Sequence, residues 1–344
     1  MDAEAMAPPQ ARAMQIVQTA VAGKLVSALT EAGVPDALAT ESRNIAELAE
    51  ATGLHPDALG RALRAAELLG VFARTEDGRW RNTDLGRTLC SGVPGSVRDY
   101  VVYALHDGNW RAWQRLMESL RTGLPSFSDA NNGLSFWAYL DANRDVADAF
   151  HRGMASMTAA GTPALAAALD LSRFRTVVDV GGGSGMVTAA LLSAAPQLHG
   201  ILFDRGEAIE AARQRFAALD LLDRVTLEAG DLFERVPPGA DAYILKNILH
   251  DHPPDQCARI LDVLHRSMPV RARLFVVEAV LPERPAFHPA IWRDLHMLVA
   301  LGGRERTEAE WRSLLDEHGF AIERIAPLPG PDGIIELSKR SARS

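Results

Sequence analysis

The residues best suited to chemistry gather at the ends of short apolar runs. Val177-Val-Asp-Val180 leads into Gly181-Gly-Gly-Ser-Gly185, and a helix-forming stretch follows. Gly181, Gly183 and Gly185 open the backbone to close approach by a ligand. A dinucleotide-binding turn prefers Gly-x-Gly-x-x-Gly, but Met186 stands in the third glycine's place. The glycines alone fit many strand-to-helix turns, with a dehydrogenase a fair competitor. Asp179 narrows the choice, because a carboxylate beside the loop repels a pyrophosphate and suits a ligand carrying an ammonium and a sulfonium.

Three further run-ends extend the set. Asp204 closes Gly200-Ile-Leu-Phe203, about where an acid that binds a ribose belongs, although one Asp after a strand is often only a helix cap. Gly230-Asp-Leu-Phe233 follows Val225-Thr-Leu-Glu228. In it Asp231 offers a carboxylate to an exocyclic amine, Phe233 an aromatic face to a purine, and Leu232 lies between them. Asp179, Asp204 and the Asp231 segment together point to S-adenosylmethionine. The last run-end is Leu245-Lys-Asn-Ile-Leu-His-Asp-His252. A histidine beside that ligand's reactive end is a general base, since an ordinary pKa of about 6.5 lies near neutral pH. The competing reading is a surface His capping the next helix. His250 and His252 face alike in any extended segment, and without a third ligand nearby no metal is expected.

These ends need a scaffold. From Phe174 onward, short runs rich in β-branched residues, including Ala242-Tyr-Ile-Leu245 and Leu274-Phe-Val-Val277, alternate with helical stretches such as Gly206 to Leu219 and Pro254 to Ser267. The alternation predicts an α/β fold with a doubly wound, mostly parallel sheet. Ligands bind such sheets at the carboxyl ends of the strands. Phe320-Ala-Ile-Glu323 and Gly333-Ile-Ile-Glu-Leu337 are expected as antiparallel strands at one edge.

Upstream, apolar residues recur at helical spacing from Ala11 to about Val34, where Gly33-Val-Pro35 ends the pattern. Two short helices follow, around Asn44 to Glu50 and Asp57 to Leu69, then a hairpin from Gly70-Val-Phe-Ala-Arg74 to Arg79-Trp-Arg-Asn82. Together they spell a winged helix. Its second helix sets Arg61 and Arg64 against Asp57 and Glu67, a poor grip on phosphates, so pairing of two copies is expected and nucleic acid is not. Residues 99–162 are helical and carry many large side chains. Phe150-His-Arg-Gly-Met-Ala-Ser-Met157 among them suits either a core or a pocket for a flat apolar molecule. The expected domains are 1–98, a mostly helical winged-helix dimerisation domain; 99–162, a helical linker contributing to the substrate pocket; and 163–344, the catalytic domain.

Bulk properties fit this plan. A chain of 344 residues is long enough for two cores, and its 23% charged residues are ordinary globular usage. A formal net charge of −8 argues against a nucleic-acid surface over the whole molecule. Cys90 and Cys257 match no zinc or redox spacing, which suggests a reduced, cytoplasmic setting. The start, Met1 to Gln10, lacks a signal peptide's basic and apolar parts and reads as a loose tail. No apolar stretch is long enough for a membrane span.

At this point the chain resembles the metal-independent small-molecule O-methyltransferases of the plant caffeic-acid type, with bacterial relatives in antibiotic and pigment biosynthesis. The resemblance rests on Val178 to Gly185, Gly230 to Phe233, Leu245 to Asp251 and Gly302-Gly-Arg-Glu-Arg-Thr307, and it covers almost the whole chain. It implies a homodimer, S-adenosylmethionine as cofactor and an aromatic hydroxyl as acceptor. By position, Asp179, Gly181 and Gly183 face the methionine part, Asp204 the ribose, Asp231, Leu232 and Phe233 the adenine, and Lys246 the cofactor's polar edge. His250 matches the family's base, Glu278 and Glu305 the acids that hold it, and Asp251 a residue that helps place the substrate. Met154, Met157, Trp292 and Met297 are candidates for the acceptor pocket. Two departures stand out: His252 replaces the Trp common after His-Asp, and Asp204-Arg-Gly206 replaces the common Asp-Leu-Pro. Relatives that decarboxylate, hydroxylate or close rings supply an alternative activity, and a winged-helix regulator that senses the cofactor supplies another.

Overall fold

The computed structural model describes residues 8–284 and 286–340. The chain divides into two compact units, one running up to Trp110 together with Leu140–Met157, the other made of Arg111–Tyr139 and the residues from Thr158 onward. The helical segment 99–162 is therefore shared between them.

The first unit opens with a helix at Pro9–Glu31, so the expected tail loses Pro9 and Gln10 to the helix, while Met1 to Ala7 lie outside the described residues. Proline suits a first helical turn, where its missing N–H would have no partner. Gly33, with φ 77°, breaks the helix, and a short turn of helix restarts at Val34–Ala37. Helix Ile45–Thr52 begins with a reciprocal cap, in which the Glu47 amide donates to Asn44 Oδ1 and the Asn44 amide to Glu47 Oε2, both at 2.9 Å. Helix Pro56–Leu68 and an antiparallel hairpin, β1 (Phe72–Arg74) and β2 (Trp80–Asn82), complete the helix-turn-helix and wing. Leu29, Val34, Leu48, Leu63, Phe72 and Trp80 close the core. Met14, Val17 and Val21 of the first helix stay 62–71% exposed.

The second unit is built on a sheet of β3 (Thr176–Val180), β4 (His199–Asp204), β5 (Val225–Ala229), β6 (Ala242–Lys246), β7 (Arg273–Leu281), β8 (Arg306–Thr307), β9 (Phe320–Pro327) and β10 (Asp332–Lys339). Its order is β5-β4-β3-β6-β7-β10-β9, with β8 paired to β7. The first five are parallel, and β10 and β9 are antiparallel. The late runs thus form the expected antiparallel edge. Runs such as Val177-Val-Asp-Val180 and Ala242-Tyr-Ile-Leu245 are buried on both faces, as a parallel sheet requires, and each face has its own apolar cluster. The strand order reverses between β3 and β6. At such a reversal the loops after the two strands part and leave a crevice. Among the described residues no helix is long and apolar enough to cross a membrane.

Candidate active site

The loop after β3 runs through Gly181, Gly183 and Gly185, all with positive φ (71°, 56° and 75°). A side chain at 181 would strike Ile248, one at 182 the Asp179 carboxyl, and one at 185 Phe216, whereas the space beside Gly183 is open. The loop is therefore packed on its inner side and free at Gly183. Asp204 Oδ2, at the end of β4, accepts the Gly183 amide at 2.7 Å. Asp179 lies beneath the loop, where Thr188 Oγ1 donates to it at 2.7 Å. Burial raises its carboxyl to about 6 against the bond from Thr188. Beyond β5, Asp231 Oδ1 accepts the Phe233 amide at 2.8 Å. The Phe233 ring meets His252 edge to face, with centroids 5.2 Å apart.

After β6 the chain turns sharply through Asn247, at φ 53°, into a single tight turn at Leu249–Asp251. Glu278 of β7 holds that turn. Its Oε1 accepts the amides of Ile248 and Leu249 at 2.9 Å and of His250 at 3.4 Å. The opposite side is fixed by Gly303, since a Cβ there would stand 1.9 Å from the His250 carbonyl oxygen, which accepts the Arg304 amide at 3.0 Å. Glu305 then reaches His250 Nδ1 at 2.9 Å, with Glu278 Oε2 3.5 Å from the same nitrogen and Asp251 Oδ1 3.3 Å from Nε2. The four residues assigned to catalysis from the sequence are brought together, and His250, Glu278 and Glu305 are nearly inaccessible to solvent.

Electrostatics departs from the simple expectation for His250. Burial opposes its charge, but Glu278, Asp251 and the bond to Glu305 outweigh burial and raise its pKa to about 9. An imidazole near its ordinary 6.5 is not what the site holds, because carboxyl groups flank both ring nitrogens. Burial pushes the Glu278 carboxyl up, whereas the His250 and Arg293 cations hold Glu305 down despite its burial. Glu278 Oε2 and Glu305 Oε2 have no hydrogen-bond partner among the described residues. The ligand atoms of His250, Glu278 and Glu305 lie within 4.8 Å of one another, as a metal site also requires. Here Arg293 already occupies Glu305 Oε1, and three amides occupy Glu278 Oε1.

Several participants carried no sequence signal. Arg293 bridges Glu305 and, at 2.9 Å, Asp332, which also faces Lys246 Nζ at 3.7 Å. Asp294 Oδ1 accepts the Glu305 amide at 2.8 Å. In sequence Arg293 and Asp332 look like surface charges, and only the pairing of β10 with β7 brings Asp332 beside the Glu278 strand. Lys246 is thus placed in this ionic chain, where burial lowers its pKa against the pull of Asp332. The acceptor-pocket candidates fall in both units. Met297 is buried in helix Ala290–Ala300, Trp292 on the same helix is 66% exposed, and Met154 and Met157 belong to the other unit.

Residues 113–321 match the family model described as an O-methyltransferase domain, and residues 14–92 that of an O-methyltransferase dimerisation domain. The chain is 37% identical to a mitomycin biosynthesis 6-O-methyltransferase of Streptomyces lavendulae, over 94% of this chain and 93% of that one. It is 38% identical to an O-demethylpuromycin-O-methyltransferase of Streptomyces alboniger, over 96% and 89%. Among solved structures it resembles an O-methyltransferase from neocarzinostatin biosynthesis in complex with S-adenosylmethionine and 2-hydroxy-5-methyl naphthoic acid. That match has 30% identity and a TM-score of 0.82, over 92% of this chain and 96% of that one.

Proposed function

The chain belongs to the O-methyltransferase family, and from that membership we propose that it methylates a hydroxyl of an aromatic small molecule, a secondary metabolite, with His250 as the base and no metal. The observation that carries the reading is the buried His250, Glu278 and Glu305 cluster at the end of β6, beside the glycine loop of β3.

The residues present fit S-adenosylmethionine. The open side of Gly183, the Asp204 carboxylate beside it and the Phe233 ring form a graded set from polar to aromatic. Asn247 Oδ1, buried and without a partner among the described residues, adds an acceptor beside Lys246. Asp204 would hold the ribose, Asp231, Leu232 and Phe233 the adenine, and Gly181 and Gly183 the methionine part, with Asp179 supplying negative charge beneath the loop. When bound, this cofactor supplies an electrophilic methyl carbon on a sulfonium.

The protein's own part is to manage a proton. Glu305 accepts His250 Nδ1–H and so leaves the Nε2 lone pair of the neutral ring for the acceptor's hydroxyl. A conjugate acid at about 9 is close to a phenol's own pKa of about 10, so the transfer is nearly even. The imidazolium formed is stabilised by Glu305, whose charge Arg293 keeps in place. Such help is worth roughly 10²- to 10⁴-fold. Asp251, beside Nε2, helps place the hydroxyl. The dimerisation domain at residues 14–92 supports a homodimer, and two free, buried cysteines suit the cytoplasm.

The reading is tested by incubating the protein with labelled cofactor and a panel of phenols and hydroxyquinones. Stoichiometric S-adenosylhomocysteine and methyl ether support it. Cofactor binding with no methylated product from any acceptor would favour the decarboxylating or hydroxylating alternative.

A further inference from the structure

Helix Ala290–Ala300 carries a second histidine that the mechanism leaves unused. Trp113 Nε1 donates to His296 Nδ1 at 3.2 Å, with the two rings 13° from parallel. An indole nitrogen is a donor only, so Nδ1 is the acceptor and the proton of neutral His296 sits on Nε2. Burial, and then the charge of His250, lower its pKa to about 4, so His296 stays neutral where His250 is charged. Its Nε2–H has no partner among the described residues, although the ring is only partly exposed. His296 follows Arg293 by three positions and shares its helix face. Arg293 reaches Glu305, and Glu305 holds His250. The helix face that steadies the base therefore also carries a neutral N–H, on a ring near enough to His250 to feel its charge.

We propose that His296, oriented by Trp113, is a specificity-determining residue that donates Nε2–H to a carbonyl oxygen beside the reacting hydroxyl of the methyl acceptor. The inference rests on the aromatic-hydroxyl reading above and narrows it to ortho- or peri-hydroxycarbonyl compounds, hydroxyquinones among them. In such molecules the hydroxyl is locked in an internal hydrogen bond, which withholds its proton from a base. A carbonyl oxygen has two lone pairs, so it can accept from His296 as well, and that second bond weakens the internal one. The loosened proton then passes to His250 Nε2. A neutral donor suits this task because it keeps its own proton at working pH. Trp113 supplies the tautomer, without which Nε2 would be an acceptor and would repel the carbonyl.

The test is the ratio of dissociation constants for two probes, 1-hydroxy-2-acetonaphthone and 1-naphthol, measured by calorimetry in the presence of S-adenosylhomocysteine. The wild type should favour the acetonaphthone by roughly tenfold, the worth of one well-made hydrogen bond. His296→Phe should bring the ratio close to one, His296→Gln, which restores an N–H, should recover part of it, and Trp113→Phe should lower it. Equal affinities in the wild type, binding of neither probe, or an unchanged ratio in His296→Phe overturns the assignment. Methylation of the same probes separates the two readings. A retained preference without product removes the proposed reaction and keeps His296, whereas product without preference does the reverse.

Discussion

Carboxyl groups flank both nitrogens of the imidazole at His250, and the sign of its titration decides how the residue works. With a pKa raised to about 9, only about one molecule in a hundred carries the free base at pH 7. The rate at low acceptor concentration should therefore climb about tenfold per pH unit from neutrality and level off near 9. A profile that levels off near 6.5 contradicts the account. Glu305→Gln removes a group that favours the imidazolium, so the inflection should move to lower pH while the limiting rate falls on the order of 10²-fold or more. Exhaustive treatment with a chelator should leave the rate unchanged, because methyl transfer from a sulfonium releases a neutral thioether and the Arg293 cation already lies against Glu305. His250 was legible in sequence from its place at the end of a strand run, and Glu278 and Glu305 only through the family resemblance. The raised pKa was not, since it depends on distances between residues up to 55 positions apart. Arg293 and His296 were not legible either, because their partners, Glu305, Asp332 and Trp113, are set by packing.

At the scale of elements, the parallel strands were readable because their runs are apolar on both faces and β-branched, and the turns because Gly181, Gly183 and Gly185 need positive φ. The boundaries shifted where a cap decided them. Pro9 can start a helix that periodicity alone placed at Ala11, and Gly33 stops it earlier than Val34. What no run of residues declares is close backbone approach between distant segments. Gly303 is the instance that matters, with the His250 carbonyl oxygen 1.9 Å from where a Cβ would stand. Gly303→Ala should therefore push the His250 turn off Glu278, lowering stability by about 1–3 kcal/mol and kcat by more than tenfold. Thermal unfolding and steady-state rates on the same preparation check this, and a fully active Gly303→Ala protein would refute the tight packing.

At the scale of the molecule, the first helix leaves Met14, Val17 and Val21 exposed in a region that matches a dimerisation domain. Light scattering should give twice the subunit mass. Val17→Asp with Val21→Asp should lower it toward the monomer, and a wild-type monomer at micromolar concentration contradicts the pairing. The central claim is that a buried histidine, held by two acids, takes the proton of an aromatic hydroxyl during methyl transfer. The most direct measurement compares wild type with His250→Gln using an aromatic acceptor turned over by the wild type, with S-adenosylmethionine affinity determined on both by calorimetry. Unchanged cofactor binding with kcat lowered by roughly 10²- to 10⁴-fold is the predicted result; unchanged binding with kcat within threefold of wild type at pH 7 would contradict it.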